Sequence, residues 1–170
     1  MRFSSLTLIA LFAFSVLHSV WIYPSLPESV ASHFGPDGSA NGNLAKKTFL
    51  GLFAMSEFMA LFSFLIVPIL IKSLPKDLIN LPNKDYWLAE ERIAATQKTL
   101  SSQLFWMGAG TLLFLFMIKK HLIDINLPSD LAQKNLGAFF PLATGLYLLF
   151  VLLWTLNLYR AYRLPVETAS

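Results

Sequence analysis

Apolar residues in this chain gather into four long blocks instead of alternating with polar ones as they do in a water-soluble domain. The blocks cover 3–23, 48–71, 100–118 and 136–158, each close to the roughly 20 residues that a helix needs to cross hydrocarbon. The pattern predicts an all-α integral membrane four-helix bundle, a single domain over 1–170, with an ordered outer loop and a short interfacial helix. Its longest connection, 72–99, carries helix-like patterning of its own and leaves no room for a separate soluble domain. Leu-Pro pairs at 26/27, 74/75, 81/82, 127/128 and 164/165 fall in connections or the tail, where proline's missing donor discourages helix continuation. Pro68 and Pro141 sit inside blocks and are expected to kink the second and fourth helices. The first block, followed by Ser29-Val30-Ala31, has some look of a secretory signal. It exceeds the usual h-region, and Pro24, Pro27 and Glu28 separate it from the would-be cut, so a retained helix is expected.

The formal net charge of +3 does not point to nucleic acid, because the cations flank the apolar blocks where lipid headgroups would meet them. Counting lysine and arginine by connection places eight with the termini and middle loop and five with the other two loops, including the pairs 46/47 and 119/120. Both termini are therefore expected in the cytoplasm. Trp21, Tyr23, Tyr86, Trp87, Trp154 and Tyr159 lie near the predicted boundaries, as amphipathic rings do at an interface. With no cysteine in the chain, disulfides and thiolate metal sites are excluded.

In the middle connection, Asn83 or Asp85 can cap a helix through Tyr86, Trp87, Glu90, Glu91 and Arg92. That helix either lies in the interface with its aromatics on lipid, or is solvated with Tyr86 and Trp87 packed on the bundle. Tyr86, Trp87 and Arg92 are the candidate cytoplasmic contact residues.

Two ionisable side chains fall within the blocks, His18 and Glu57, and a charge at that depth costs at least about 2.5 to 3.5 kcal/mol. Counted from the outer ends of their helices, their depths differ by roughly 6 Å, so they are within reach of one another. A His18–Glu57 pair would suit a proton-responsive switch or a stabilising contact. The competing reading hydrogen-bonds a protonated Glu57 to a neighbouring helix while His18 reaches for the interface, and packing is the commoner use of such contacts. Small residues at Gly108 and Gly110, and at Gly137, Pro141 and Gly145, predict close helix approach, the second set along one face of the fourth helix.

The outer loop, 24–47, holds tight-turn signals at Pro36-Asp37-Gly38 and Asn41-Gly42. His33 and Asp37 could meet across the first of these as a hydrogen-bonded pair, or supply two metal ligands with His121 or Asp124 from the other outer loop. Metal binding wants three or four ligands at recognisable spacing, which the chain lacks, so no metal and no cofactor are expected. His33, Asp37, Gly38 and Lys46 are the candidate binding residues of this loop.

The string from Leu26-Pro27-Glu28 through His33-Phe34, Gly38 and Lys46 resembles the membrane domain of unknown function at the N-terminus of SdpI-type immunity proteins, which also occurs alone in small bacterial membrane proteins. The block from Asn80-Leu81-Pro82 to Arg92 is similar to a segment of the stand-alone members, with Glu90 where a proline is common. Asn43 replaces the tryptophan usual before the loop's lysine. The resemblance implies a bacterial cytoplasmic (inner) membrane, protection from a secreted peptide toxin, and a shared task at the outer surface for His33, Gly38 and Lys46.

Two functions remain in view. One is a non-enzymatic binding, sensing or immunity-like module at the cell envelope, whose partners would be the bilayer, a peptide or envelope protein, and a second copy in a homo-oligomer. The other is a small proton-coupled transporter, or its accessory subunit, using His18 and Glu57. No nucleophile with a base at suitable spacing, no His-Glu-x-x-His and no phosphate-cradling glycine loop is present, so no enzymatic activity is expected.

Overall fold

Four long helices and one small hairpin make up the molecule, described over residues 3–35, 39–128 and 136–164 by a computed structural model. Helix α1 spans Phe3–Ile22, and a 3₁₀ turn at Tyr23–Ser25 leads into strands β1 (Ser29–Phe34) and β2 (Ala40–Ala45). Helix α2 (Lys46–Ser73), a single turn α3 (Lys84–Trp87), α4 (Ile93–Asn126) and α5 (Leu136–Ala161) follow. All four long helices are long and apolar enough to span a membrane. No more than 22% of any span's most apolar window is buried inside the molecule, and for α5 the share is 6%. Side chains such as Phe14, Leu17, Phe58, Phe62, Leu148 and Leu153 stand outward in continuous apolar faces, which only hydrocarbon can solvate at this extent.

Helix α4 is the hub, packing against α1, α2 and α5, while α1 also packs against α2. It runs for 34 residues, well beyond the predicted 100–118. The expectation that Lys119 and Lys120 lie in a loop is corrected: the helix continues because both cations find partners on it or beside it. Lys120 pairs with Asp124 one turn on at 2.6 Å, and Lys119 turns inward.

Two glycines of α4 admit aromatic rings. A Cβ on Gly108 would come within 2.6 Å of Phe64 of α2, and one on Gly110 would overlap the Phe150 ring of α5. Of the close-packed face expected on the fourth helix, the two positions whose surroundings are described face outward: Pro141 is exposed and a Cβ on Gly145 would meet nothing within 4 Å. Gly137 falls outside the residues whose surroundings are described. Pro68 and Pro141 both lie inside helices that continue past them.

The loop expected to be ordered is a β-hairpin. Its strands pair antiparallel, with Val30 opposite Leu44 and Ala31 opposite Asn43, then shift register around His33. At the open end of the pair, the Gly35 N–H donates to the Ser39 carbonyl at 2.8 Å. Asn41-Gly42, read as a turn, lies within β2. Gly42 is opposite His33 and a Cβ there would sit 3.1 Å from the imidazole, so the glycine serves the irregular register and not a reversal. Beneath the hairpin, Ile22, Leu26, Val30, Phe49, Leu50, Leu122 and Ile123 form a buried apolar cluster joining the strands to the ends of α1, α2 and α4. At the other end, Ile79, Leu81, Leu88 and Tyr162 close the bundle.

Candidate functional site

The hairpin is bolted to the helices by named polar contacts as well as by its apolar underside. Asn126, in the last turn of α4, grips both backbone groups of Ala31: the Ala31 N–H donates to Oδ1 at 2.7 Å and Nδ2 donates to the Ala31 carbonyl at 2.9 Å. Nδ2 also donates to the Leu122 carbonyl at 2.8 Å, which fixes the amide's rotamer. Lys46, at the start of α2, donates to the Leu26 carbonyl at 3.3 Å, pairs with Glu28 at 3.0 Å and lies over the Tyr23 ring. Lys46 is thus a clamp between α1's exit and α2's entry, with only 12% of its side chain exposed.

His33, by contrast, is exposed on the strand. Its Nδ1 lies 2.9 Å from Ser32 Oγ, and that hydroxyl is also 3.3 Å from the Gly42 carbonyl. A hydroxyl has one proton to give; when it goes to Gly42, Nδ1–H donates to Ser32 and Nε2 is left as an acceptor for a partner. Asp37 and Gly38 lie outside the described residues, and with them the expected His33–Asp37 pair. His121 and Asp124 belong to α4, not to a loop. His121 is buried with its ring stacked on Phe139 at 4.1 Å, and Asp124 is taken by Lys120. Among the described residues no group of three His, Cys, Asp or Glu side chains is placed to hold a metal.

Within the bundle the structure gives Glu57 a different partner from the one expected. Glu57 of α2 and Lys119 of α4 are both wholly buried and form an ion pair at 3.0 Å. Ser15 of α1 donates to Glu57 Oε1 at 2.7 Å and accepts from the Lys119 ammonium at 2.5 Å. The ammonium also donates to Ser19 Oγ at 2.9 Å and reaches the Ser15 carbonyl at 3.0 Å. Three helices therefore meet at one charged, hydrogen-bonded knot. His18 stands outside it: its ring meets Phe116 edge-on at 5.2 Å and Trp21 at 6.1 Å, and Nδ1 has no hydrogen-bond partner among the described residues. Geometry is the reason, since the carboxylate is saturated by a cation that already lies between α1 and α2.

Lys119, Ser15 and Ser19 were not singled out in the sequence. A signal was present: Ser15 and Ser19 are one helical turn apart on an otherwise apolar helix and so share a face. Leu122, Ile123 and Ile125 likewise continue the apolar pattern past the lysine pair.

At the opposite end, the one-turn α3 places Trp87 against the bundle. The indole N–H donates to the Tyr162 carbonyl at 2.8 Å and the two rings meet edge-to-face. Asn83 does not cap α3 with its side chain; it adopts φ 53° and donates Nδ2 to the same carbonyl at 2.9 Å. Asp85 lies inside the turn. Arg92 stacks on Tyr86 at 4.0 Å and donates to its carbonyl at 2.9 Å. The three residues expected at this end are brought together, and of the two readings the one with aromatics packed on the bundle describes Trp87. Burial pushes the Tyr162 phenol up to about 12, so it is neutral at pH 7.

Residues 10–56 match the model of a domain of unknown function, DUF1648. No curated protein and no solved structure matches the chain. The matched stretch takes in Ser15, His18, Ser19, the hairpin and Lys46, and stops one residue before Glu57. Both docking partners on α4, Lys119 and Asn126, lie outside it.

Proposed function

We propose that this multi-pass membrane protein is a non-enzymatic binding or sensing module of a bacterial cytoplasmic (inner) membrane. In this reading the hairpin faces outward, both termini are cytoplasmic, and the hairpin recognises a peptide or envelope protein in an immunity-like role. The observation that carries it is the docking of the hairpin: Asn126, Lys46 and the apolar cluster hold its backbone while His33 is left exposed. A surface held in place before it meets a partner loses little conformational entropy on binding. The likeness of the Leu26-to-Lys46 string to SdpI-type proteins supports the peptide as the kind of partner. Tyr86 and Arg92 supply the cytoplasmic contact surface, since Trp87 is committed to Tyr162.

The test is tolerance of expressing cells to membrane-active peptides. Wild-type protein is expected to change it, His33→Ala to abolish the change at equal protein level, and Asn126→Ala to weaken it. Asn126→Ala strands the Ala31 N–H and carbonyl at a cost of about 1–3 kcal/mol, which also appears as faster amide exchange in 29–45 than in the helices. Tolerance that wild-type protein leaves untouched sinks the reading.

The second reading, a small proton-coupled transporter or accessory subunit, is favoured by one observation, the charged pair sealed between α1, α2 and α4. Proton flux in liposomes that disappears in Glu57→Gln would place it first.

A further inference from the structure

The knot around Lys119 has more acceptors than an ammonium can serve. Five oxygen atoms lie 2.5 to 3.2 Å from Nζ: the Ser15 carbonyl and Oγ, Ser19 Oγ, and both Glu57 carboxylate oxygens. An ammonium has three N–H bonds. Five oxygens gathered around one centre resemble the shell of a spherical cation, and they are the groups that bind alkali ions: a main-chain carbonyl, hydroxyls and a carboxylate. The remaining bonds hold these groups in place. Ser15 Oγ gives its proton to Glu57 and Ser19 Oγ gives its own to the Ser15 carbonyl, so the hydroxyl lone pairs are free for the cation.

Charge sets the valence. Glu57 contributes one negative charge and no second acid among the described residues is in contact, so a single positive charge neutralises a site with no exposure to solvent. The basic side chains nearby are engaged elsewhere: Lys120 pairs with Asp124, and the His18 ring of α1 lies against Phe116. An approach also exists. A groove of about 330 Å³ between α1 and α2 runs from Tyr23 at the hairpin end to Ser19, whose hydroxyl touches the ammonium.

We propose that Ser15, Ser19 and Glu57 form an intramembrane monovalent-cation site, with the Lys119 ammonium as its tethered occupant and Na⁺ or K⁺ as the ion that exchanges with it. The exchange is one for one in charge: the free ion takes the five oxygens while Lys119 gives up its proton to solvent, so the site keeps a single positive charge and the lysine remains as a neutral amine. The site is independent of the hairpin's role and stands or falls separately.

The experiment uses the full chain in detergent, with NaCl, KCl and choline chloride at equal ionic strength. In Lys119→Met the thermal midpoint is expected to rise with each tenfold increase of Na⁺ or K⁺ and to ignore choline, and adding Glu57→Gln removes the dependence. Midpoints that are the same in the three salts overturn the proposal. Because Lys119→Met leaves a buried carboxylate unpaired and can fail to fold, the wild-type chain provides a second measurement. Acylation of Lys119 by an amine reagent, read by peptide mass spectrometry against Lys120 as the internal reference, is expected to be several-fold faster in NaCl or KCl than in choline chloride. Equal rates in all three salts overturn it as well.

Discussion

Lys119 and Glu57 show how a single contact can order three helices. Each group alone would be an uncompensated charge in an apolar interior, a state expensive enough that one does not persist without the other. Removing one partner, as in Glu57→Leu or Lys119→Met, is expected to cost about 3–5 kcal/mol. Replacing both by these apolar residues is expected to cost much less than the sum, because no charge is left stranded. A double-mutant cycle on unfolding in graded denaturing detergent measures this; single costs that simply add would show that the pair does not act as a unit. The intramembrane acid itself was legible, since a glutamate inside an apolar block is conspicuous. Its partner was not. Residue counting estimates depth along a helix but says nothing of the direction in which a side chain leaves it, and a lysine at the edge of a block reads as a headgroup anchor.

At the level of whole elements, α4 decides the architecture. Its 34 residues amount to about 51 Å at 1.5 Å per residue, against about 30 Å of hydrocarbon, so it carries structure at both ends. Its last turn holds the hairpin through Asn126. In its first turn Thr96 donates to the Trp87 carbonyl at 2.8 Å and ties down the α3 segment. Between these ends its glycines set how closely the other helices approach. Gly108→Ala is expected to destabilise the bundle by about 1–3 kcal/mol through overpacking against Phe64. Gly145→Ala, on open helix surface, is expected to be neutral or to stabilise by up to about 1 kcal/mol through helix propensity. Equal effects on the thermal midpoint would mean that helix α5 buries its glycine face against something else. The glycines stood out in the sequence, but which of them touch a neighbour depends on helix rotation, and the weak amphipathicity of lipid-facing helices leaves rotation unmarked.

For the molecule as a whole, the two ends differ in kind. The hairpin, the end of α4 and the entry to α2 form one polar cap; α3, Tyr162 and the exit of α2 form the other. Because the chain has no cysteine, Asn41→Cys and Asp85→Cys supply single thiols at exposed positions of opposite caps. With an impermeant thiol reagent on intact cells, labelling is expected at Asn41→Cys and not at Asp85→Cys. The reverse pattern would invert the topology and remove the outward-facing hairpin from the functional reading.

Four membrane helices, their order and the polar segments between them follow from the sequence by itself, because hydrocarbon imposes its thickness on every span as an apolar run that can be counted. Only the tertiary structure decided which polar side chains meet inside. Val30 and Leu44 become a strand pair, Asn126 finds Ala31, and Lys119 enters between Ser15 and Glu57 through contacts between residues 14 to 104 positions apart in sequence. Such contacts are set by helix rotation and by the reach of individual side chains, two quantities that a one-dimensional pattern of apolar blocks does not contain.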